Sequence, residues 1–301
     1  MTGNLKKFLP YTAGAVGLVA GMLYAQFNYK KKISAILPSC DEYLGFHINP
    51  DIGNKFGILP ATTFKTMEGY SLLYNHKTKT ADWAFECITK ESVSPNTGIE
   101  KKKRKVIPDD TVPSYFQSSA EDFRNTGYSK GHLVPAANQQ LTSNLYKETF
   151  ILTNIVPMYD KFNSGIWKTL EDYIRKLAME GKTVGVYCGS LYLPSKDSDN
   201  FVRYDLIGPH KIAVPTHFFK SAAWEVEDGK YDMIAYIFPH ENKKIKNLKL
   251  FEVDREKICK DSGLRLFYGI KDTEIRYLNG KLMKNQEPSE TSPRQRSGGI
   301  N

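Results

Sequence analysis

Between residues 164 and 180 the apolar side chains Ile166, Leu170, Ile174 and Leu177 recur at i, i+4, i+8 and i+11. That spacing lines one face of a helix and predicts an amphipathic helix across the segment. A shorter helix is predicted over 254–262, with Asp254 as its cap and Gly263 at its end. Runs rich in aromatic and β-branched residues predict strands at Tyr70–Tyr74, Trp83–Ile88, Thr149–Val156, Thr183–Cys188, Ile212–Phe219 and Met233–Phe238. These strands do not alternate with helices, so the pattern reads as α+β rather than βαβ. No internal repeat is visible.

One apolar run has a different character. Residues 8–27, FLPYTAGAVGLVAGMLYAQF, contain no charge. About 20 apolar residues suffice to cross a bilayer as a helix. Lysines flank both ends, and Tyr24 and Tyr29 sit where interfacial anchors do. Ala13, Gly17 and Gly21 form a small-xxx-small series of the kind that packs helices in membranes. A cleaved secretory signal is the alternative, but its apolar region is usually shorter. The lack of acid before Asp41 suits a mitochondrial address, although such peptides favour Arg and Ser and neither occurs before Ser34. Lysines on both sides leave the orientation unset. The organisation expected is an anchor and targeting segment with one transmembrane helix over 1–40, a linker over 41–54, a globular domain over 55–272 and a disordered tail over 273–301. The tail ends in the polar, Pro/Ser/Gly-rich stretch 286–301.

Composition adds a sign. The chain has 301 residues, 41% of them hydrophobic and 25% charged, so a large core is available. Its net charge of +9 suits an anionic partner, nucleic acid or a membrane surface. Five lysines before Asp41 carry more than half of that excess, which leaves the globular part mildly basic. The run KKKRKV at 101–106 lies between Pro95, Asn96 and Gly98 on one side and Pro108 on the other, hence on a loop. It fits contact with a nucleic-acid backbone, a nuclear import signal, or a solvated loop. Cys40, Cys87, Cys188 and Cys259 form no C-x-x-C pair, which excludes a zinc ribbon and a thioredoxin-like motif.

Four polar residues fall at suggestive places. His132 sits in GYSKGHLVPAAN, Asn154 closes the run FILTN, Asn163 precedes the long helix, and Glu171 follows eight residues later. Eight residues are about two helical turns, roughly 12 Å along the axis and roughly 80° around it. A neutral imidazole takes a proton from water near neutral pH, a hydrated Mg²⁺ needs few protein ligands, and a nearby carboxylate holds metal-bound water. The set suits phosphodiester hydrolysis. Each residue also has a structural reading: His132 as a strand-edge residue, Asn154 as a turn former, Asn163 as a helix N-cap, and Glu171 paired with Arg175 on a solvated face.

The order of motifs favours the chemical reading. Ser129-Lys130-Gly131-His132-Leu133-Val134-Pro135-Ala136-Ala137-Asn138 is followed by Glu148-Thr149-Phe150-Ile151-Leu152-Thr153-Asn154-Ile155-Val156-Pro157. Then come Phe162-Asn163, Trp167 and Leu170-Glu171, then Ala213-Val214-Pro215-Thr216-His217-Phe218-Phe219-Lys220, and then Ser262-Gly263-Leu264. Over roughly 55–270 this resembles the DNA/RNA non-specific nucleases of the ββα-metal (His-Me finger) class, in particular the endonuclease G group. The resemblance implies an α+β domain with a central mixed or antiparallel sheet and an active site made of a β-hairpin and a helix. It implies His132 as general base, Asn163 as the direct ligand of Mg²⁺ (or Mn²⁺), and Glu171 as holder of metal-bound water. Asn154 would position the substrate or the histidine, and Lys130 with Arg104 or Lys105 would bind substrate. It further implies DNA or RNA as partner, a homodimer, and a place at the mitochondrial inner membrane with the nuclease domain in the intermembrane space.

Four positions depart from the family pattern. Ser129 stands where many members have Asp, as in the exonuclease-like branch. Lys130 stands where they have Arg, Ile107 where many have a basic residue, and Met158 where Gln is common. Lysine keeps the charge but loses the planar fork that bonds one partner twice. These departures keep open a catalytically impaired pseudonuclease that binds nucleic acid or serves as a scaffold. A membrane adaptor, with KKKRKV on anionic lipid, is a third reading.

Overall fold

The long apolar strands fold against each other first in sequence and then across it. The computed structural model describes residues 61–96, 98–99, 105–194, 200–245 and 247–283, all within the unit Pro60–Asn301. The expected anchor, linker and distal tail, and most of KKKRKV, lie outside the described residues. No helix among the described residues is long and apolar enough to cross a membrane.

Strands β1 (Thr62–Thr66), β2 (Tyr70–Asn75) and β3 (Thr80–Ile88) form a meander. β4 (Ser129–His132) and β5 (Ile155–Met158) pair only with each other. After β6 (Val184–Leu191), the short β7 (Leu206–Ile207) and β8 (Ile212–Ala213) make a second two-stranded ladder. β9 (His217–Glu227), β10 (Lys230–Pro239), β11 (Ile275–Leu278) and β12 (Lys281–Leu282) complete the set. The main sheet has the order β1-β2-β3-β6-β9-β10-β11-β12, antiparallel throughout except that β10 and β11 run parallel. The architecture is mixed α+β with a central sheet, as expected.

Both faces of the sheet are covered, which explains why its central strands read as continuous apolar runs instead of alternating ones. On β9, Phe218 joins one core and its neighbour Phe219 the other. The first core takes Leu133, Val134, Phe162, Trp167, Leu170 and Ile174 against the sheet. The second holds Phe85, Tyr187, Phe219, Ile258 and Phe267. Of the helices, α1 (Lys90–Val93), α2 (Ser143–Glu148) and α3 (Asp160–Phe162) are short. α4 (Lys168–Met179) buries Leu170, Ile174 and Leu177, the face its periodicity predicts. α5 (Arg255–Ser262) ends at Gly263, whose φ of 72° is the left-handed cap that glycine supplies.

Three boundaries differ from expectation. The strand predicted at Thr149–Val156 exists only from Ile155; before it, Leu152–Asn154 is a 3₁₀ turn. The cause is the buried Asn154 side chain, which bonds the Thr149 carbonyl and turns the chain there. The run Ile212–Phe219 breaks into β8 and β9 around Pro215, which has no N–H for a ladder. The ordered domain also passes the expected end at 272, because Ile275 and Leu278 are buried when β11 adds to β10.

Candidate active site

The hairpin is set by close packing. β4 and β5 pair in the register Ser129↔Met158, Lys130↔Pro157, Gly131↔Val156 and His132↔Ile155. A Cβ on Gly131 would lie 2.3 Å from Met158 Sδ, so only glycine fits beneath that side chain. This accounts for the departure at Met158: the thioether fills the space over the glycine. His132, at the end of β4, is half-buried, with Phe150 edge-on at 5.0 Å between ring centroids. Strand alternation puts Lys130 on the same side of β4 as His132. Its ammonium lies 5.3 Å from the Phe123 ring.

Asn154 is fully buried and makes no surface for substrate. Its Oδ1 accepts from Val134 N at 3.0 Å, its Nδ2 donates to the Val134 and Thr149 carbonyls at 2.9 Å each, and its own carbonyl accepts from Leu133 N at 3.1 Å. These bonds clamp the backbone just after the histidine.

α3 runs into α4 through a π turn, Asn163–Trp167, in which Gly165 adopts φ −100° and ψ −113°. Such insertions recur at functional sites because they re-aim side chains without ending a helix. Asn163 has helical angles, φ −60° and ψ −49°, inside this continuous run, so it is not an N-cap. Its Nδ2 donates to Ser129 Oγ at 3.3 Å, while the Ser129 hydroxyl donates to the Met158 carbonyl at 2.9 Å. The serine proton is therefore committed. The hydroxyl can only accept from the amide, which leaves Asn163 Oδ1 turned away from it. At the other end of the turn, Trp167 Nε1 donates to the His132 carbonyl at 3.2 Å. One helical turn thus touches both ends of β4.

Glu171 does not lie on a solvated face with Arg175. Arg175 reaches Asn138 Oδ1 at 2.6 Å and Asp172 at 2.5 Å. Glu171 is 11% exposed, with Lys220 Nζ 3.6 Å from its Oε1. Burial pushes its carboxyl up, and Lys220 pulls it back. Lys220 is itself buried and sits 4.0 Å from the Trp167 ring centroid. Beneath it, Glu86 accepts from Asn138 Nδ2 at 2.8 Å and Gln139 Nε2 at 3.0 Å. Burial raises Glu86 to about 7, against the opposing pull of Lys220. The indole and the lysine thus link the histidine strand to the carboxylate.

Glu86 is a part of this network that sequence reasoning passed over, while Trp167 and Lys220 stand in the matching motifs without an assigned role. A signal existed in HFFKSAAW and WAFECI, where one charge interrupts an apolar strand run. His240 was also missed, and its neighbours are distant in sequence. Its Nε2 accepts from Tyr159 N at 2.8 Å, so Nδ1 carries the proton and faces the Pro215 carbonyl at 2.9 Å. Tyr159 in turn accepts from Asn163 N at 2.9 Å, so the neutral imidazole steadies the start of the Asn163 helix. Burial is the main cause that holds His240 down at about 4, from an ordinary 6.5. A base depressed by folding contributes its stability fully above the unfolded value and loses it as pH falls toward the folded one. Thermal melts should show this site costing about 3 kcal/mol between pH 6.5 and 4. His240→Gln should flatten that window relative to the parent; parallel profiles would remove the imidazole from the account.

Among the predicted basic contacts, Arg104 lies outside the described residues and Lys105 is exposed. They lead into Ile107, which is 43% exposed and bonds Phe150 O and Leu152 N at 2.8 Å each. Ile107, where a basic residue was expected, is thus tied by its backbone to Phe150, whose ring lies beside His132.

A hairpin ending in a histidine, beside a helix that carries an amide and a largely buried carboxylate, is an arrangement suited to metal-assisted hydrolysis. The family model for DNA/RNA non-specific endonucleases matches residues 52–273, and the chain belongs to that family. It is a phosphodiester hydrolase by that membership. "Endonuclease G, mitochondrial" of Caenorhabditis elegans is 33% identical over 75% of this chain and 75% of its own length. "Nuclease 1, mitochondrial" of Schizosaccharomyces pombe is 31% identical over 90% of this chain and 89% of its own. A chain in the solved EndoG/EndoGI complex superposes with a TM-score of 0.70 at 31% identity, covering 79% of this chain and 100% of that one.

The family is generally dependent on a divalent metal. Among the described residues no three His, Cys, Asp or Glu side chains gather into a metal cage. The donor set fits a hard, hydrated cation instead: one amide oxygen, on a side chain whose nitrogen is bonded to Ser129, with the largely buried Glu171 carboxylate two turns along.

Proposed function

We propose that this chain hydrolyses phosphodiester bonds of DNA, RNA or both without sequence preference, using Mg²⁺ (or Mn²⁺) at Asn163. The observation that carries the reading is the committed Ser129 proton, which presents Asn163 Oδ1 from the turn that also grips the His132 strand. His132 takes a proton from water as its oxygen bonds to phosphorus. The opposite P–O bond breaks, and the departing oxygen leaves as a hydroxyl after gaining a proton. A bound divalent ion would polarise the phosphate and offset charge on the leaving oxygen. Glu171, held by Lys220, would orient water around that ion, while Trp167 and Asn154 fix the backbone on either side of the ring. Lys130 would neutralise substrate phosphate. Cleavage in ¹⁸O-labelled water tests this: the account expects one labelled oxygen in each new terminal phosphate, and unlabelled products contradict it.

The relatives named mitochondrial support a mitochondrial protein; the uncharged run 8–27 would anchor it in the inner membrane, and by the family resemblance its nuclease domain would face the intermembrane space. Residues 1–40 fused to a fluorescent protein should reach mitochondria and resist carbonate extraction; a soluble or secretory pattern contradicts the anchor. A homodimer fits the same family reading, and a single-chain mass in solution would refute it.

Exposed Ile107 and the single ammonium of Lys130 favour, as second reading, a pseudonuclease that binds without cutting. Lys130→Arg separates the two. Restoring the planar fork should raise cleavage by a modest factor, roughly 2–10-fold, with metal dependence unchanged. The gain falls in kcat if the side chain orients the site and in KM if it only binds phosphate. A folded protein silent on DNA and RNA with either residue would establish the pseudonuclease.

A further inference from the structure

The chemistry above does not use the segment from Phe201 to Leu206, yet that segment is fastened to the site. Asp205 Oδ2 accepts from the Tyr128 hydroxyl at 2.7 Å, and the same hydroxyl lies 3.0 Å from that of Tyr159. Tyr128 directly precedes the His132 strand, and Tyr159 directly precedes the Asn163 helix. The Asp205 carbonyl accepts from Val214 N at 2.9 Å, which ties the segment to the ladder of β7 and β8. That ladder is anchored through buried Asp122, which accepts from Ser119 N at 2.7 Å and His210 N at 2.8 Å. Gly208 closes the contact: its φ is +66°, and a Cβ there would lie 2.3 Å from Asp122 Cα.

What this rigid base presents to solvent is aromatic and basic. Phe201 and Tyr204 are 47% and 42% exposed. The Arg203 guanidinium lies 4.5 Å from the Phe201 ring centroid, and Tyr204 is braced edgewise by Tyr192 at 4.9 Å. Among the described residues Arg203 pairs with no carboxylate, so its charge is open to an anion. Ring faces beside an unpaired guanidinium, on a fixed base, are how proteins hold unpaired bases while their charge follows the backbone. Tyr128, the residue that fastens the segment, is four extended residues from His132, roughly 13 Å along the strand.

We propose that Phe201, Arg203 and Tyr204 form a stacking platform for unpaired bases of the strand being cut, to one side of the scissile phosphate. The platform makes single-stranded or frayed nucleic acid the preferred substrate class. This rests on the nuclease reading, and the test keeps the two apart. The full chain, with metal chelated so that nothing is cut, is titrated into a labelled single-stranded oligonucleotide and into a blunt duplex of the same sequence. The double variant Phe201→Ala/Tyr204→Ala should bind the single strand about tenfold or more weakly, with little change on the duplex. Phe201→Tyr/Tyr204→Phe should keep the affinity. An oligonucleotide with abasic positions should bind the parent as weakly as the intact strand binds the alanine variant. Equal single-strand affinity of parent and alanine variant overturns the platform. An equal loss on both substrates also overturns it, since the contact would then be to backbone. Because binding is read without cleavage, a chain that binds in this way but never cuts refutes hydrolysis and leaves the platform standing.

Discussion

Replacing His132 with alanine should lower the rate at saturating substrate by about 10²–10⁴-fold, the usual worth of a general base. The fold and the binding of nucleic acid should persist. The reason for the separation is local. The backbone around residue 132 is held by Trp167 on its carbonyl, by Asn154 on the two residues that follow, and by Ile155 in the ladder. None of these uses the imidazole. Truncation therefore removes the proton acceptor and its edge contact with Phe150 but not the geometry of the hairpin. Cleavage rates at saturating substrate, with circular dichroism as control, check this. Equal rates in variant and parent would take His132 out of the mechanism.

Asn163→Ala should be nearly as severe, with a different signature. The Mg²⁺ concentration for half-maximal rate should rise by about 10-fold or more, since even outer-sphere partners of a metal are worth that much. Binding of nucleic acid in chelator should not change. Stability should change little, because Asn163 sits within the helical run and alanine is a better helix former. A helix cap would behave oppositely, with a lower melting temperature and an unchanged metal titration. Titrating Mg²⁺ and measuring the melt on the same preparation decides between them. Ser129→Ala should show a weaker form of the metal effect, since the amide would lose the hydroxyl that orients it.

What the sequence made legible follows how local each cause is. The face of α4 was readable because four apolar residues at helical spacing have no other arrangement that buries them. The central strands were readable because each is an unbroken apolar run bounded by turns. The hairpin strand β4 was not, since Ser129–His132 contains no apolar residue at all. It is a strand because β5 pairs with it and Met158 closes over Gly131, both of which are tertiary. The boundary at Asn154 failed for a related reason: a single buried amide outweighs the β-preference of the residues before it. His132, Asn163 and Glu171 were singled out by motif order, while the residues that hold them in place were not. Lys220 and His240 act across 49 and 81 residues of sequence respectively, and no periodicity carries such a signal. The π turn could not be read either, because the apolar spacing of α4 gives no sign of the extra residue at Gly165.

The most direct test of the account is cleavage of a closed circular plasmid by the full chain, alongside its His132→Ala variant, with Mg²⁺ and with chelator. The account predicts that the parent nicks and linearises the plasmid only when Mg²⁺ is present and that the variant leaves it closed. Cutting by the parent in chelator, equal cutting by the variant, or an intact plasmid with a folded, DNA-bound, Mg²⁺-supplied parent would contradict it.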